Sequence, residues 1–178
     1  MKFASLALAA GLAAAPALAQ ESGPLPAAPI TSAATLKDTA GAEVGTASLS
    51  DAGRGVLVKL SLKGLTPGWH AIHFHEKGSC SDAKFTSAGG HVHSDKPVVH
   101  GLLNAIGNDA GDLPNINVPE SGAVEAEVFS TWVTLVGPQG NVLKDADGSA
   151  IVIHAKADDH ESQPIGGAGD RVACGVIE

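Results

Sequence analysis

The sequence predicts an all-β fold, a sandwich of about eight short strands carrying two long loops. Three observations point there. Polar and apolar residues alternate with period two in several segments, as a half-buried strand requires. Glycine is abundant, 22 residues in 178, which favours many turns. After the N-terminal leader, no stretch longer than about ten residues shows a capped helical stripe.

The first segment does not belong to the fold. Lys2 gives a positive start, Phe3 to Pro16 is apolar and alanine-rich, and Ala17-Leu18-Ala19 is a small-x-small cleavage signal before Gln20. This predicts a secretory signal peptide over 1–19 rather than a membrane anchor. Residues 20–30, Pro/Ala-rich from Gly23 to Pro29, are expected to form a flexible arm, and 31–178 one domain. No segment after the leader is apolar enough to span a bilayer.

Within the domain, Glu43 to Leu49 alternates, Asp51-Ala52-Gly53-Arg54-Gly55 turns, and Val56 to Leu62 alternates again. That is a hairpin. After the break Gly64-Leu65-Thr66-Pro67-Gly68 comes one short strand, Trp69 to His75. Further strands are expected over Ala123 to Phe129, Trp132 to Val136, Ala150 to His154 and Val172 to Ile177. Between them lie two stretches without a strand pattern, Glu76 to Asn115 and Ala155 to Asp170. Loops of this length in a compact domain are commonly functional. With no Tyr, two Trp and four Phe, the core must be built from Val, Ile, Leu and Ala.

Eleven basic and 19 acidic side chains give a net charge of −8. Nucleic acid is not an expected partner, since binding it needs a basic face. The two cysteines, Cys80 and Cys174, read in an exported chain as one structural disulfide rather than two buried thiols. The bridge would close a loop of roughly 95 residues, worth about 4–5 kcal/mol in chain-entropy terms.

The chemistry-bearing residues are histidines: His70, His73, His75, His91, His93, His100, His154 and His160. Residues i and i+2 of a strand share a face, so His73 and His75 can grip one metal while Ile72 and Phe74 face the other way. A lone His-x-His pair is more often a packed pair than a ligand pair. Here His91, His100, Asp109 and Asp112 lie in the long loop, and His154 ends a distant strand. Imidazole suits copper and zinc, and a carboxylate is an acceptable zinc ligand. One imidazole-rich cluster and one mixed cluster imply two metal sites.

Five segments in order resemble the copper/zinc superoxide dismutase family, in its bacterial periplasmic branch. They are Gly68-Trp69-His70-Ala71-Ile72-His73-Phe74-His75-Glu76-Lys77-Gly78-Ser79-Cys80, Ser87-Ala88-Gly89-Gly90-His91, Ala110-Gly111-Asp112-Leu113-Pro114-Asn115, Ile153-His154-Ala155-Lys156-Ala157-Asp158-Asp159, and Gly169-Asp170-Arg171-Val172-Ala173-Cys174-Gly175-Val176-Ile177. The resemblance spans the chain from about Thr31 to its end. It implies an eight-stranded Greek-key β-sandwich or barrel, an architecture for which this family is itself a standard example.

The resemblance also implies roles. His73, His75, His91 and His154 would bind one copper ion per subunit. His91 would bridge to one zinc ion, completed by His100 and Asp112. Asp158 would orient His73 and His100, because a carboxylate behind a ligating imidazole fixes its tautomer. Arg171 would draw the superoxide anion, and Cys80 would pair with Cys174. The activity implied is oxidoreductase: copper redox cycling that turns superoxide into oxygen and hydrogen peroxide, with His91 moving a proton. Periplasmic or secreted localisation follows from the leader. Dimers are common in the family, so a homodimer is open.

Two departures concern the zinc half. The family has a histidine three residues before the zinc aspartate, where this chain has Asp109. The family also follows the bridging histidine with Phe-Asn-Pro, whereas here it is Val92-His93-Ser94. Asp109 is the expected fourth zinc ligand and His93 the alternative, with zinc held less tightly or less selectively. His70 is expected to pack or hydrogen-bond beside the site, and His160 to be solvated. The rival function is a non-catalytic extracytoplasmic module that buffers or delivers copper, which would have no need of Arg171. A plain adhesion sandwich would leave the clustered histidines unexplained.

Overall fold

The computed structural model describes residues 28–178 except 52 and 139. The expected leader lies outside the described residues, as does most of the expected arm, whose last residue, Ile30, already belongs to a strand.

The described residues form strands β1 (Ile30–Asp38), β2 (Glu43–Asp51), β3 (Val56–Leu62), β4 (Gly68–His70), β5 (Ile72–His75), β6 (Ile116–Val118), β7 (Val124–Ser130), β8 (Val133–Thr134), β9 (Asn141–Val142), β10 (Ala150–His154) and β11 (Arg171–Val176). One 3-10 turn, Thr86–Ala88, is the only helical element among them. The main sheet has seven strands in the order β5-β10-β11-β1-β2-β3-β7, every pair antiparallel. Two small sheets, β4-β6 and β8-β9, complete the all-β fold. The count exceeds eight because four elements are pieces of two or three residues.

Alternation explains the outer strands. On β1, Ser32, Ala34 and Leu36 point inward while Thr31, Ala33 and Thr35 are exposed. Strands β2 and β3 alternate likewise. The inward row of β1 is small and partly polar, so sequence reading passed over it. Strands β5 and β10, at one end of the sheet, behave differently. Every residue of β5 and of β10 is buried, because both faces are covered. Ile151 and Ile153 join the main core with Leu36, Leu49, Ile72 and Phe74. Ala150 and Val152 join a smaller cluster with Phe85, Ala88 and Cys174, against which Cys80 packs. The disulfide Cys80–Cys174, expected from sequence, ties the long loop to β11 beside that cluster.

The single strand expected over Trp69 to His75 is broken at Ala71. Its two halves pair with different partners, β4 with β6 and β5 with β10. Ala71 spends its own backbone groups on the second loop and β10: its N–H donates to Lys156 O at 2.8 Å, and its carbonyl accepts from His154 N at 2.9 Å. The break separates His70 from the pair that follows.

Candidate metal centre

Strand β5 pairs with β10 on one side: Val152 faces His73 and Ala150 faces His75. Along its other edge runs the long loop, in two passes. Phe74 N donates to Gly111 O and Phe74 O accepts from Val92 N, both at 2.9 Å, and Glu76 N donates to Gly90 O at 2.9 Å. His75 thereby opposes His91, and His73 opposes Asp112. The two passes also touch each other, with Gly111 N donating to Val92 O at 3.0 Å. Glycine is required at 111, since a Cβ there would sit 2.3 Å from Phe74 O and 2.9 Å from the His91 Cβ. On β10 the ladder register shifts between Ile153 and His154, so that His154 lies opposite Arg171. Such irregularities re-aim a side chain.

These elements bring His73, His75, His91 and His154 into one buried group whose ligand-type atoms lie within 4.8 Å of one another. Their second nitrogens are all committed. His75 Nδ1 donates to Gly89 O at 3.0 Å and His154 Nδ1 to Gly169 O at 3.1 Å. His73 Nε2 meets Asp158 Oδ2 at 3.0 Å and His91 Nδ1 meets Asp109 Oδ2 at 2.7 Å. A carbonyl can only accept, so the proton of His75 and of His154 sits on Nδ1 and the lone pair on Nε2. What remains is His73 Nδ1, His75 Nε2, His91 Nε2 and His154 Nε2, four buried nitrogens with no hydrogen-bond partner. Buried polar atoms are rarely left so. Four unprotonated imidazole nitrogens facing one point are a donor set that copper fits.

A second group meets at the other nitrogen of His91. Asp109 Oδ2 is 2.7 Å from His91 Nδ1 and 3.6 Å from His100 Nδ1. Asp112 Oδ1 is 2.7 Å from His100 Nδ1 and 3.5 Å from His91 Nδ1. The remaining oxygens are tied to backbone: Asp109 Oδ1 accepts from Gly111 N and Asp112 Oδ2 from Gly101 N. His100 Nδ1 and Asp112 Oδ1 approach closely yet both stay without a well-aligned hydrogen bond. That is how two ligands stand around a common ion, not how donor meets acceptor. His73 is also within reach of His91, His100 and Asp112, but its Nε2 is committed to Asp158 and its Nδ1 to the first group. His91, His100 and Asp112 lie within ligand reach of one another, with Asp109 against His91, a mix of imidazole and carboxylate of the kind zinc accepts.

His93 is not brought to this group. Its Nδ1 turns back to the His91 carbonyl at 2.8 Å, with Glu76 Oε2 3.7 Å away. His70 stays outside both groups and clasps the structure beside them, Nδ1 donating to His154 O at 2.7 Å. His160 is not a solvated side chain. Held at φ 63°, it is mostly buried, with Nδ1 3.5 Å from Asp158 Oδ2 and Nε2 3.1 Å from Asn115 Nδ2. The second loop folds back onto the site and carries His160 with it.

Asp158 joins the two groups, accepting from His73 Nε2 through Oδ2 and from His100 Nε2 through Oδ1, each at 3.0 Å. Sequence reading missed what holds it. Asn115 brackets its backbone, Nδ2 donating to Asp158 O and Oδ1 accepting from Asp158 N. Gln163 brackets His100 likewise, accepting from its N–H and donating to its carbonyl. Both asparagine and glutamine lie in loops, and nothing local in the sequence distinguishes them from solvated amides.

The electrostatics differ between the groups. Burial first, then neighbouring positive groups, lowers His75 to about 2 and His154 to about 3. Burial lowers His73 to about 4 against its bond to Asp158. For His91 and His100 burial acts in the same direction, but the close carboxylates of Asp109 and Asp112 outweigh it. His91 rises above its ordinary value, and His100, with Asp158 added, rises to about 11. The three carboxylates are held below their usual range by these histidines, despite burial. Arg171 stands beside the first group, where its charge helps depress His75 and His154. Its Nη1 donates to Phe85 O at 2.5 Å and its Nη2 to Gly89 O at 2.7 Å.

The family described as copper/zinc superoxide dismutase (SODC) matches residues 43–177. Among curated proteins, the superoxide dismutase [Cu-Zn] of Caulobacter vibrioides is 58% identical over 82% of this chain and 84% of its own length. Superoxide dismutase [Cu-Zn] 2 of Aquifex aeolicus is 45% identical over 81% of this chain and 84% of its own length. Among solved structures, the Cu/Zn superoxide dismutase of Brucella abortus superposes with a TM-score of 0.67 at 28% identity, covering 84% of this chain and 100% of that one. A SOD-like protein from Bacillus subtilis gives 0.75 at 34% identity, covering 82% and 97%. With both donor sets assembled and the family match running through nearly all of the domain, the chain belongs to the copper/zinc superoxide dismutases.

Proposed function

We propose that this protein dismutates superoxide to oxygen and hydrogen peroxide, with copper held by His73 Nδ1, His75 Nε2, His91 Nε2 and His154 Nε2. Zinc would be held by His91 Nδ1, His100 Nδ1, Asp109 Oδ2 and Asp112 Oδ1. The observation that carries this reading is the set of four buried imidazole nitrogens without a partner, each on a ring whose other nitrogen is held. When bound, copper supplies the one-electron chemistry that oxidises one superoxide and reduces another, and zinc supplies a fixed charge on His91.

The chain's own residues do the rest. Arg171 is a permanent cation with several donors, and two of its nitrogens are already anchored on carbonyls. With Lys84 and Asp170 it lines a cleft of about 480 Å³, in which the two cations outnumber the one carboxylate. On an acidic protein this positive focus raises the local concentration of a small anion, an effect for which superoxide dismutase is itself a standard case. His91 Nε2 is the atom from which a proton reaches the reduced product. Its ring is kept in place by Asp109 and by the His73 ring, 4.1 Å away between centroids. Asp158 fixes the protonated nitrogen of His73 and His100 at once, which makes one carboxylate responsible for the alignment of both sites.

The disulfide supports an oxidising, extracytoplasmic setting, in the periplasm or outside the cell after removal of a 1–19 leader. No helix among the described residues is long and apolar enough to cross a membrane. A homodimer, the common family state, is the assembly this reading carries. A copper-buffering module could use the same four histidines, but it has no use for an arginine built in beside them.

The test is superoxide consumption by protein reconstituted with copper, with and without zinc, for the native chain and Arg171→Glu. The charge reversal should slow the reaction at low ionic strength by about tenfold or more, with the rate then rising rather than falling as salt is added. Equal rates at low salt would remove the guiding role of Arg171.

A further inference from the structure

The guanidinium of Arg171 is held by two backbone carbonyls of the long loop, those of Phe85 and Gly89. The shape of that loop therefore decides where the cation stands. Phe85 has φ 54°, a left-handed conformation that a bulky residue adopts only when its surroundings impose it. Its buried ring packs with Ala88, Val152 and Cys174, which fixes one side of the residue. The other side is fixed by Asp82. Asp82 Oδ1 accepts from Lys84 N at 3.0 Å, Thr86 N at 3.1 Å and Thr86 Oγ1 at 3.1 Å, and Oδ2 accepts from Ser87 N at 2.7 Å. Its carbonyl accepts from Phe85 N at 2.9 Å. One residue thus gathers the donors on both sides of the strained position. At the far end Glu76 Oε1 accepts from Gly90 N at 3.0 Å. The Gly89 carbonyl serves Arg171 and His75 together.

We propose that Asp82 is a positioning residue for the anion-guiding arginine: its carboxylate sets the turn Thr86–Ala88, and through the carbonyls of Phe85 and Gly89 it sets the distance between Arg171 and the His75 ring. It touches neither substrate nor metal. Without it, Phe85 can relax out of the left-handed region, its carbonyl turns away, and Arg171 loses one of its two anchors. The protein still folds and binds copper, because Asp82 bonds none of the four histidines and the Gly89 end of the loop, which holds His75, is separately anchored by Glu76 through Gly90 N. What is lost is the pre-set position of the cation.

The inference rests on the dismutase reading, and the experiment separates the two. Asp82→Ala, Arg171→Ala and the double variant are loaded with copper and zinc. For each, metal content, the copper visible spectrum, azide affinity from the charge-transfer band, and the superoxide rate at low salt are measured. Azide stands in for the small anion. Asp82→Ala should weaken azide binding and slow turnover by about three- to tenfold, with metal content and the azide-free spectrum unchanged, and the double variant should be no worse than Arg171→Ala, the non-additivity expected of residues acting through one another. Asp82→Asn, which retains one acceptor oxygen, should fall between. Multiplied losses in the double variant, or native azide affinity in Asp82→Ala, would overturn the positioning role. If Asp82→Ala expresses poorly, Asp82→Asn is decisive by itself: native azide affinity sinks the idea, and intermediate affinity with full copper supports it. A native protein that binds azide but leaves superoxide untouched would fail the dismutase reading while leaving this geometry testable.

Discussion

On one side of the His91 ring, four buried imidazole nitrogens converge, none of them hydrogen-bonded to another protein group. On the other, two imidazoles and two carboxylates are drawn together to 2.7–3.6 Å. In the first group burial keeps His73, His75 and His154 neutral, depressing all three far below the physiological range, while the shared His91 is raised. The second holds protons, because buried carboxylates stabilise the charged imidazoles beside them. The difference teaches that a fold can prepare two metal sites by opposite means. One is pre-organised by backbone and side-chain acceptors that fix the second nitrogen of each ring and turn the first toward a common point. The other is pre-organised by charge, its ligands already clamped by the ion pairs that a cation would replace.

The sharpest way to break this comparison is to remove one ligand from each side. His75→Ala takes a nitrogen from the neutral group alone, and Asp112→Ala an oxygen from the mixed group alone. The first should abolish turnover, by more than the roughly 10–100-fold that loss of a mere outer partner costs a metal site. The second should leave copper bound and part of the activity intact. Steady-state superoxide consumption together with metal analysis separates them. Equal loss from both would mean that the two groups are one site in function. Asp158→Asn is expected between these extremes. It disturbs His73 and His100 together, so copper and zinc affinities should fall in parallel, by about tenfold or more. A fall in one metal only would show that Asp158 serves a single group.

How much of this was legible beforehand follows the same divide. A strand forces i and i+2 to one face, so His73-Phe74-His75 places its two imidazoles together, but it was the family resemblance that joined them to His91 and His154 as a ligand set. Strands β2 and β3 were visible for the same reason of period, and β10 as a short apolar run. Strand β1 was not, since Ser32 and Ala34 give little hydrophobic contrast. The break at Ala71 was not, since it depends on backbone bonds from distant loops. On the zinc side, the family pattern named Asp109 and His93 as rivals but could not aim either. Loop conformation sends His93 back to its own chain and Asp109 to His91. The anchors of Arg171 were beyond sequence altogether, because Phe85 and Gly89 contribute carbonyls, which every residue carries.

The smallest expected effect is the most specific to this chain, and it concerns Asp109. His73, His75 and His154 sit below their ordinary value of 6.5. They are already neutral at pH 7, and copper need displace no proton from them. His100 lies near 11 and His91 is raised, with Asp109 a main cause in both. Zinc must expel the proton of His100 as well as that of the shared His91, whereas copper meets a raised pKa at His91 alone, so zinc affinity should climb more steeply with pH from neutrality upward than copper affinity. Stability of the metal-free protein follows the same signs. The depressed histidines favour the unfolded chain as pH falls below 6.5 toward 4, where that chain gains protons the fold refuses. The stabilising contribution of His100 is fully present below 6.5 and is lost as pH rises toward 11. Asp109→His removes one carboxylate and installs the family's usual ligand. It should release the protons more readily, flatten the pH dependence of zinc uptake, and tighten zinc at pH 7 by about tenfold, the order of effect expected for a change in ligand set. Calorimetric titration of the metal-free protein with zinc, in buffers of different ionisation enthalpy, reads both the affinity and the protons released. Zinc retained by the native chain through chelator dialysis as firmly as copper, with no gain in Asp109→His, would mean that the carboxylate is as good a fourth ligand as the imidazole it replaces.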